Sequence, residues 1–153
     1  MIILSKLADY GVIVATHLAI HPERQQNAAA VAAATQLPQA TVAKVLKALA
    51  HAGLATATRG AAGGYRLARQ PKDVTVAEVV AAIDGDIGLT QCSIHTGDCE
   101  RTTYCPTRPH WAAINRAVGA ALSAVSLADM LNPFLFAPPS PAPNLGPRRD
   151  IRV

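Results

Sequence analysis

The segment over residues 28–68 constrains the fold of this 153-residue chain more than any other. An Ala-rich stretch over 28–35 is followed by the break Gln36-Leu37-Pro38 and by a second helical stretch to about Ala52. Two short helices joined by a three-residue turn are typical of a helix-turn-helix, which we place at residues 28–52. Four apolar residues of the second stretch share the i, i+3, i+4, i+7 spacing of one buried helix face, namely Val42, Val45, Leu46 and Leu49.

A stretch that alternates with period two follows the second helix directly. It runs over 54–59 and, after the Gly-rich turn 60–64, resumes over 65–67. This pattern predicts a β-hairpin with Arg59 and Arg66 at or near its tip. A hairpin placed after a helix-turn-helix is the wing of a winged helix.

We therefore expect a mainly α fold with a small β-hairpin wing. The winged helix-turn-helix region would occupy residues 1–91, with the wing at 54–68. Within the wing, Gly63-Gly64 fits either an ordinary flexible turn or a close approach of the backbone to a phosphate. An arginine at a hairpin tip suits a narrow, electronegative minor groove.

Capping residues predict where three helices begin. Ser5 and Asn27 are suitable N-caps for helices that follow them. Thr75 with Glu78 three residues later has the pattern of a capping box. Gly53 suits the position just after the end of the second helix of the helix-turn-helix.

The charge of the chain favours a polyanionic partner. The net charge is +4 and the pI is about 9.3. The second helix of the helix-turn-helix carries lysines opposite its apolar face. We expect contacts to base edges from Gln39, Thr41 and Lys44, and contacts to phosphates or the minor groove from Lys47 and Arg59.

All three cysteines lie in one short segment, Cys92, Cys99 and Cys105. The chain carries no secretion-signal pattern and no apolar run near the roughly 18 residues that span a bilayer. We therefore expect a cytoplasmic protein with no membrane partner, whose thiols stay reduced. An odd number of clustered cysteines then favours metal ligation or redox chemistry over structural disulfides. We assign residues 92–110 to a metal-binding loop.

The spacing of the cysteines bears on which metal the loop binds. Five and six residues separate them, which is longer than the C-x2-C knuckles of structural zinc, and thiolates suit iron–sulfur clusters. A zinc site completed by His110 and a cluster-free thiol switch both stay open. Catalysis is not expected, because no Ser/His/Asp or Cys/His arrangement accompanies a phosphate loop or a pocket.

The chain beyond the cysteines predicts one long helix and a tail. A heptad-like apolar pattern from about His110 to Leu131 predicts a helix of roughly 30 Å, which we assign to homodimerisation at residues 111–131. Its apolar positions are Trp111, Ile114, Val118, Ala121, Val125 and Ala128. Residues 132–153 contain six prolines and are expected to be disordered.

Taken together, these motifs resemble the IscR/NsrR-like family of bacterial winged-helix regulators that carry iron–sulfur clusters. The resemblance covers about residues 1–131. Its residues are Leu4 to Gly11, Leu37-Pro38 through Gly53-Leu54, Arg59-Gly60-x-x-Gly63-Gly64-Tyr65-x-Leu67, and the three cysteines. The stretches 4–11 and 105–111 look most like regulators of the Suf iron–sulfur assembly operon.

The resemblance implies a ligand set. Cys92, Cys99 and Cys105 would bind the cluster, with 2Fe–2S favoured over 4Fe–4S. In several relatives the fourth ligand is a histidine three residues after the last cysteine, but Arg108 stands at that position here. In other relatives it is an acidic residue that matches Asp9 and comes from the partner subunit. We expect Asp9 in trans, with His110 second, and further alternatives in His95, Asp98 and Glu100.

The resemblance also implies a function and partners. The chain would be a transcriptional regulator, a repressor, that senses iron–sulfur status and controls iron–sulfur assembly genes. It would bind promoter DNA as a homodimer and receive its cluster from the assembly machinery. The wing residues expected at the DNA are Arg59, Gly60, Gly63, Gly64 and Tyr65.

Overall fold

The computed structural model describes residues 4–90 and 104–132. The predictions for Cys92 and Cys99, for the alternative ligands His95, Asp98 and Glu100, and for the tail beyond Asn132 lie outside those ranges.

The first described range contains a three-helix unit, a hairpin and one further helix. Its elements are α1 (Lys6–Ile20), α2 (Ala28–Thr35), α3 (Gln39–His51), β1 (Ala55–Thr58), β2 (Gly64–Leu67), a 3₁₀ turn (Pro71–Asp73) and α4 (Val76–Asp84). The second range contains α5 (Arg108–Ser123) and α6 (Leu127–Met130). The two strands are antiparallel, with Ala55 opposite Leu67 and Thr58 opposite Gly64. The predicted fold class, mainly α with a β-hairpin wing, is confirmed.

The predicted caps are present at three helix starts. The Ser5 hydroxyl accepts the Ala8 N–H at 3.0 Å, and the Asn27 side chain accepts the Ala30 N–H at 2.8 Å. Thr75 and Glu78 form both halves of a capping box. These side chains satisfy backbone donors that would otherwise lack partners at the first turn, so the sequence positions of the caps determine the helix starts.

Glu78 also connects the end of the wing to α4, through Arg69. The Arg69 guanidinium, just after β2, donates to the Glu78 carboxylate at 2.6 Å and to the carbonyl of Asp73 at 2.9 Å. Partial burial acts to raise the pKa of Glu78, but the hydrogen bonds from Arg69 and Thr75 outweigh it and lower that pKa below its ordinary value. The carboxylate is therefore ionised at neutral pH, when it holds the end of the wing against the start of α4.

One apolar core joins the helices to the hairpin. It contains the predicted face of α3, all four residues of which are fully buried, together with residues from every other helix except α5. Gly11 lets α1 lie close to α4, since a side chain there would meet Ile83 at 2.9 Å. Leu54 and Leu67 close the core from the base of the wing.

The predicted long C-terminal helix is wrong in its bounds. It begins at Arg108, two residues earlier than expected, because Pro109 is well tolerated in a first turn. It ends at Ser123 rather than near Leu131. Ser126 adopts an extended conformation and caps α6 with a capping box of its own, completed by Asp129.

The helix ends early because the chain returns to the core. Val76 N–H donates to the Val125 carbonyl at 2.9 Å, and Leu127 N–H donates to the Val74 carbonyl at 2.8 Å. Leu127 is then fully buried. Burying a leucine and pairing two backbone groups outweighs another turn of exposed helix. Val125 and Ala128 thus do not continue the apolar stripe of α5.

Candidate DNA-binding interface and metal centre

Helix α3 presents a polar face opposite its buried one. Gln39, Lys44 and Lys47 are exposed and Thr41 is half-buried, while the apolar residues of the predicted core face have no accessible surface. This division follows from the 3.6-residue period, which puts positions 44 and 47 on the side away from the core face. Lys44 and Lys47 therefore lie on an accessible side of α3, and Gln39 is exposed at its first position.

The cationic groups of this surface have no ion-pair partner in the part of the chain that the structure describes. Within the described residues, neither Lys44 nor Lys47 forms a salt bridge. The N-terminus of α3 also has no side-chain cap, since Pro38 precedes it. Uncapped N–H groups and unpaired ammonium groups both favour an anionic partner such as a phosphate backbone.

The turn of the wing depends on its glycines for geometry. Gly60 adopts φ +112°, which side chains strongly disfavour. A side chain on Gly63 would collide with the carbonyl oxygen of Thr58 across the turn. Both glycines are therefore needed to close the turn that presents Arg59, whose side chain is exposed.

Gly64 and Tyr65 attach the wing to the segment before α2. Tyr65 N–H donates to the Gln26 carbonyl at 2.8 Å, and Gln26 N–H donates to the Tyr65 carbonyl at 3.0 Å. A side chain on Gly64 would stand 2.6 Å from that same Gln26 oxygen. The Gln26 side chain in turn bonds His17 of α1 at 2.9 Å. Tyr65 and Gly64 thus fix the wing against the body of the domain.

Arg66, predicted at or near the tip of the hairpin, lies within strand β2. It is paired with Thr56 in the middle of the two strands and forms a 3.2 Å salt bridge with Glu23. The turn occupies residues 59–63, so that only Arg59 of the two arginines adjoins it. The period-two pattern predicted the strands correctly, but it did not define how far each one extends.

Of the three cysteines, Cys105 is the one in the described range. It is half-buried three residues before α5, with its Sγ 3.3 Å from the Thr107 hydroxyl and its carbonyl accepting the Arg108 N–H at 3.4 Å. His110 is exposed in the first turn of the same helix. The described residues contain no group of three His, Cys, Asp or Glu side chains arranged to hold a metal.

Asp9 is exposed near the start of α1. Its carboxylate forms no ion pair with another described residue. Ser5, one turn earlier, both caps α1 and donates from its hydroxyl to Asp84 at 2.6 Å, which links the start of α1 to the end of α4. The Asp9 carboxylate is therefore accessible to a group from another molecule.

Helix α5 has exposed apolar residues on one side and a polar contact on its inner side. Its residues Trp111 and Ile114 are 39% and 45% exposed, and no residue of the helix is fully buried. On its inner side, Asn115 bonds to the backbone of residues 87–89, just before the cysteine segment. The sequence motifs did not single out Asn115, although an asparagine inside a helix is unfavourable unless its amide has a specific partner.

None of the helices in the described ranges has both the length and the apolar character required to cross a bilayer.

Comparison with known proteins agrees with this geometry. The family model for Rrf2, an iron-dependent transcriptional regulator, matches residues 4–133. Protein rrf2 from Nitratidesulfovibrio vulgaris is 33% identical over 104 residues, which cover 68% of this chain and 69% of that protein. Against the curated IscR regulators from Vibrio atlanticus and Aliivibrio salmonicida, the chain spans about half of their length, 47% and 49%.

Solved structures give the same result. CymR, the global cysteine regulator of B. subtilis, matches with a TM-score of 0.66 and 27% identity, covering 85% of this chain and 96% of CymR. IscR of T. potens matches with a TM-score of 0.65 and 27% identity, covering 85% and 86% of the two chains. The predicted kinship with IscR-like regulators is confirmed, as is the prediction that the protein is no enzyme. The chain belongs to the Rrf2 family and is a winged-helix transcriptional regulator that binds DNA.

Proposed function

We propose that this regulator is a homodimeric repressor of iron–sulfur assembly genes whose DNA affinity depends on a cluster bound by Cys92, Cys99 and Cys105. The observation that carries the DNA-reading part is the exposed, unpaired cationic face of α3. Gln39, Thr41 and Lys44 contact base edges in the major groove. Lys47 and Arg59 contact phosphates or the minor groove, and Gly60, Gly63, Gly64 and Tyr65 hold the wing in place for that contact.

The dimer is proposed from the outer face of α5. Trp111, Ile114, Val118 and Ala121 form an apolar stripe along the helix, and all four are exposed or half-buried in the single chain. A contiguous apolar stripe on an exposed helix marks an association surface, and a second copy of the same helix is its self-complementary partner. Two α3 helices held by such a dimer would read half-sites about 34 Å apart.

The chemistry of the cysteine segment supports a cluster. Three thiolates suit iron, and a non-cysteine fourth ligand makes a cluster easier to lose, which suits a sensor. When bound, the cluster supplies an iron centre whose presence reports on iron–sulfur supply, with 2Fe–2S favoured. The exposed Asp9 carboxylate supports Asp9 of the partner subunit as fourth ligand, with His110 as the alternative. The iron–sulfur assembly machinery is the proposed donor, and the cytoplasm the proposed location.

A second candidate function is a thiol switch or zinc site without a cluster. The likeness to CymR, named for cysteine regulation, favours it as an alternative. Such a protein would respond through oxidation of its thiols or through a colourless zinc site.

Cys99→Ala separates these functions. Wild-type protein purified without oxygen should absorb visible light and give an iron–sulfide Mössbauer spectrum. The variant should lose both signals and remain a folded dimer, because the substitution removes a proposed ligand thiolate. Absorption and Mössbauer spectra, together with DNA binding before and after cluster removal, provide the measurement. A colourless wild type that binds DNA equally well would exclude the cluster mechanism, and a variant that kept its spectrum would remove Cys99 from the ligand set.

Lys44→Ala tests base recognition. If Lys44 contacts a base edge, the substitution should weaken binding to a selected operator by about 1–3 kcal/mol and change non-specific binding much less. Fluorescence anisotropy on the operator and on a scrambled duplex measures both affinities. Lys72→Ala, on the exposed 3₁₀ turn, is the matched control for charge alone. Equal losses on the two duplexes would make Lys44 a phosphate contact instead.

A further inference from the structure

Among the described residues, two separate attachments join helix α5 to the DNA-binding body. At its C-terminal end the chain is paired with residues 74–76 through two backbone hydrogen bonds, and Leu127 is buried in the core. Leu122 and Val125 add apolar contact with Ala8 and its neighbours from α4. This attachment consists of main-chain hydrogen bonds and a buried leucine side chain, and it is therefore stable.

The second attachment is a single side chain. Asn115 Nδ2 donates to the Ile87 carbonyl at 2.8 Å, and Asn115 Oδ1 accepts the Leu89 N–H at 3.2 Å. The amide thus both donates and accepts a hydrogen bond, as the backbone of a neighbouring strand would do with residues 87–89. Ile87 itself packs against the α1–α4 contact. The amide therefore connects the helix to a stretch that belongs to the body of the domain.

The two attachments together define the tilt of α5. Position 115 and the end of the helix at Ser123 are about 12 Å apart along the axis. A helix attached to the domain at one end can change its tilt, whereas a helix attached at two points this far apart cannot. Removing the Asn115 amide would take both of these hydrogen bonds from the N-terminal half of α5, which also carries Trp111 and Ile114.

The stretch held by Asn115 is also the one that leads to the cysteines. Leu89 precedes Cys92 by three residues, and the chain returns to α5 at Arg108, three residues after Cys105. Both ends of the cysteine segment are consequently connected to the same helix, one by covalent continuity and the other through Asn115. A change in the backbone next to Cys92 would act directly on the two hydrogen bonds of Asn115.

We propose that Asn115 is a positioning residue that sets the tilt of α5 on the DNA-binding body and thereby the spacing of the two α3 helices. The inference rests on the proposed homodimer through α5. It adds that the Asn115 amide is one route by which the backbone before Cys92 can act on DNA spacing. In this role Asn115 acts through the position of α5 and not by contacting DNA.

The test uses full-length dimer and a duplex selected by the wild-type protein from a random library. Two further duplexes carry one base pair more or one fewer between the half-sites. Wild type should discriminate against both. Asn115→Ala should bind the native spacing about tenfold more weakly, because two hydrogen bonds that hold α5 are removed from each subunit, and should discriminate much less between spacings. Arg116→Ala, at the exposed neighbouring position, should behave as wild type.

A second readout does not depend on DNA. Hydrogen exchange of the Leu89 amide should be faster in Asn115→Ala than in wild type, and unchanged for amides of the 74–76 attachment. Asn115→Gln, which keeps the amide donor and acceptor on a side chain one methylene longer, should fall between the two and provides a milder variant if Asn115→Ala is poorly folded. Unchanged spacing discrimination in a folded variant with faster Leu89 exchange would overturn the positioning role. A wild type that is monomeric, or indifferent to spacing, would instead overturn the dimer proposal together with this one.

Discussion

Leu127→Ala is expected to lower the free energy of unfolding by about 2–5 kcal/mol, the cost of a cavity at a fully buried leucine. Leu127 has 0% exposure and lies in the same core as α1, α3 and the base of the wing. Its removal would also weaken the backbone pairing of residues 125–127 with 74–76, because the buried leucine holds that segment in place. Chemical denaturation of the full chain measures the change.

The matched control for this prediction is Leu131→Ala. Leu131 is 38% exposed at the end of α6, so the same chemical change should cost well under half as much. Equal destabilisation by the two substitutions would mean that α6 does not close the core. A folded Leu127→Ala protein with altered operator affinity would further show that the position of α5 influences DNA binding.

The affinity of the wild-type protein for promoter DNA is expected to fall about 10³–10⁵-fold between 50 and 200 mM salt. This range corresponds to about six to ten neutralised phosphates, each of which contributes about −0.9 to the slope of log affinity against log salt. Lys47 and Arg59 are the proposed contacts, and both are exposed and without a salt bridge among the described residues. Titration by anisotropy at several salt concentrations gives the slope.

Replacing Lys47 and Arg59 with alanine tests the assignment. For every phosphate that a subunit no longer neutralises, the slope should become shallower by about 0.9, so the double variant should differ clearly from wild type. Arg66→Ala is the control, because Arg66 is already paired with Glu23 on the strands of the wing. A double variant with the wild-type slope would place the phosphate-binding groups elsewhere on the surface.

Much of the DNA-binding half was predictable because its signals are local. The caps at Ser5, Asn27 and Thr75 act within one turn of helix, and the apolar period of α3 directly indicates which side meets a core. Glycines that close a turn are equally local, and so the wing was predicted at 54–68 and found with strands at 55–58 and 64–67.

The predictions that were wrong concern segments in which a local sequence preference competes with a contact to a residue distant in sequence. The heptad pattern favoured one helix to Leu131, but Ser126 with Asp129 is a capping box, and the core offered a site for Leu127 that an isolated helix cannot. The hairpin pattern predicts Arg66 at or near the tip, and its salt bridge with Glu23, 43 residues away in sequence, has no local signal. The same holds for Asn115, whose partners on residues 87–89 are 26 and 28 residues away.

The sequence alone determined the kind of protein: a basic winged helix with a three-thiol segment. Cap chemistry, helix period and cysteine count are properties of residues and their near neighbours. Only the tertiary structure decided that the last helix is interrupted to fill the core, that Gly64 and Tyr65 anchor the wing, and that one asparagine joins α5 to the backbone before Cys92. Those outcomes depend on which residues distant in sequence come into contact. The free energy of burying and pairing them is a property of both partners, so no single segment of the chain indicates it.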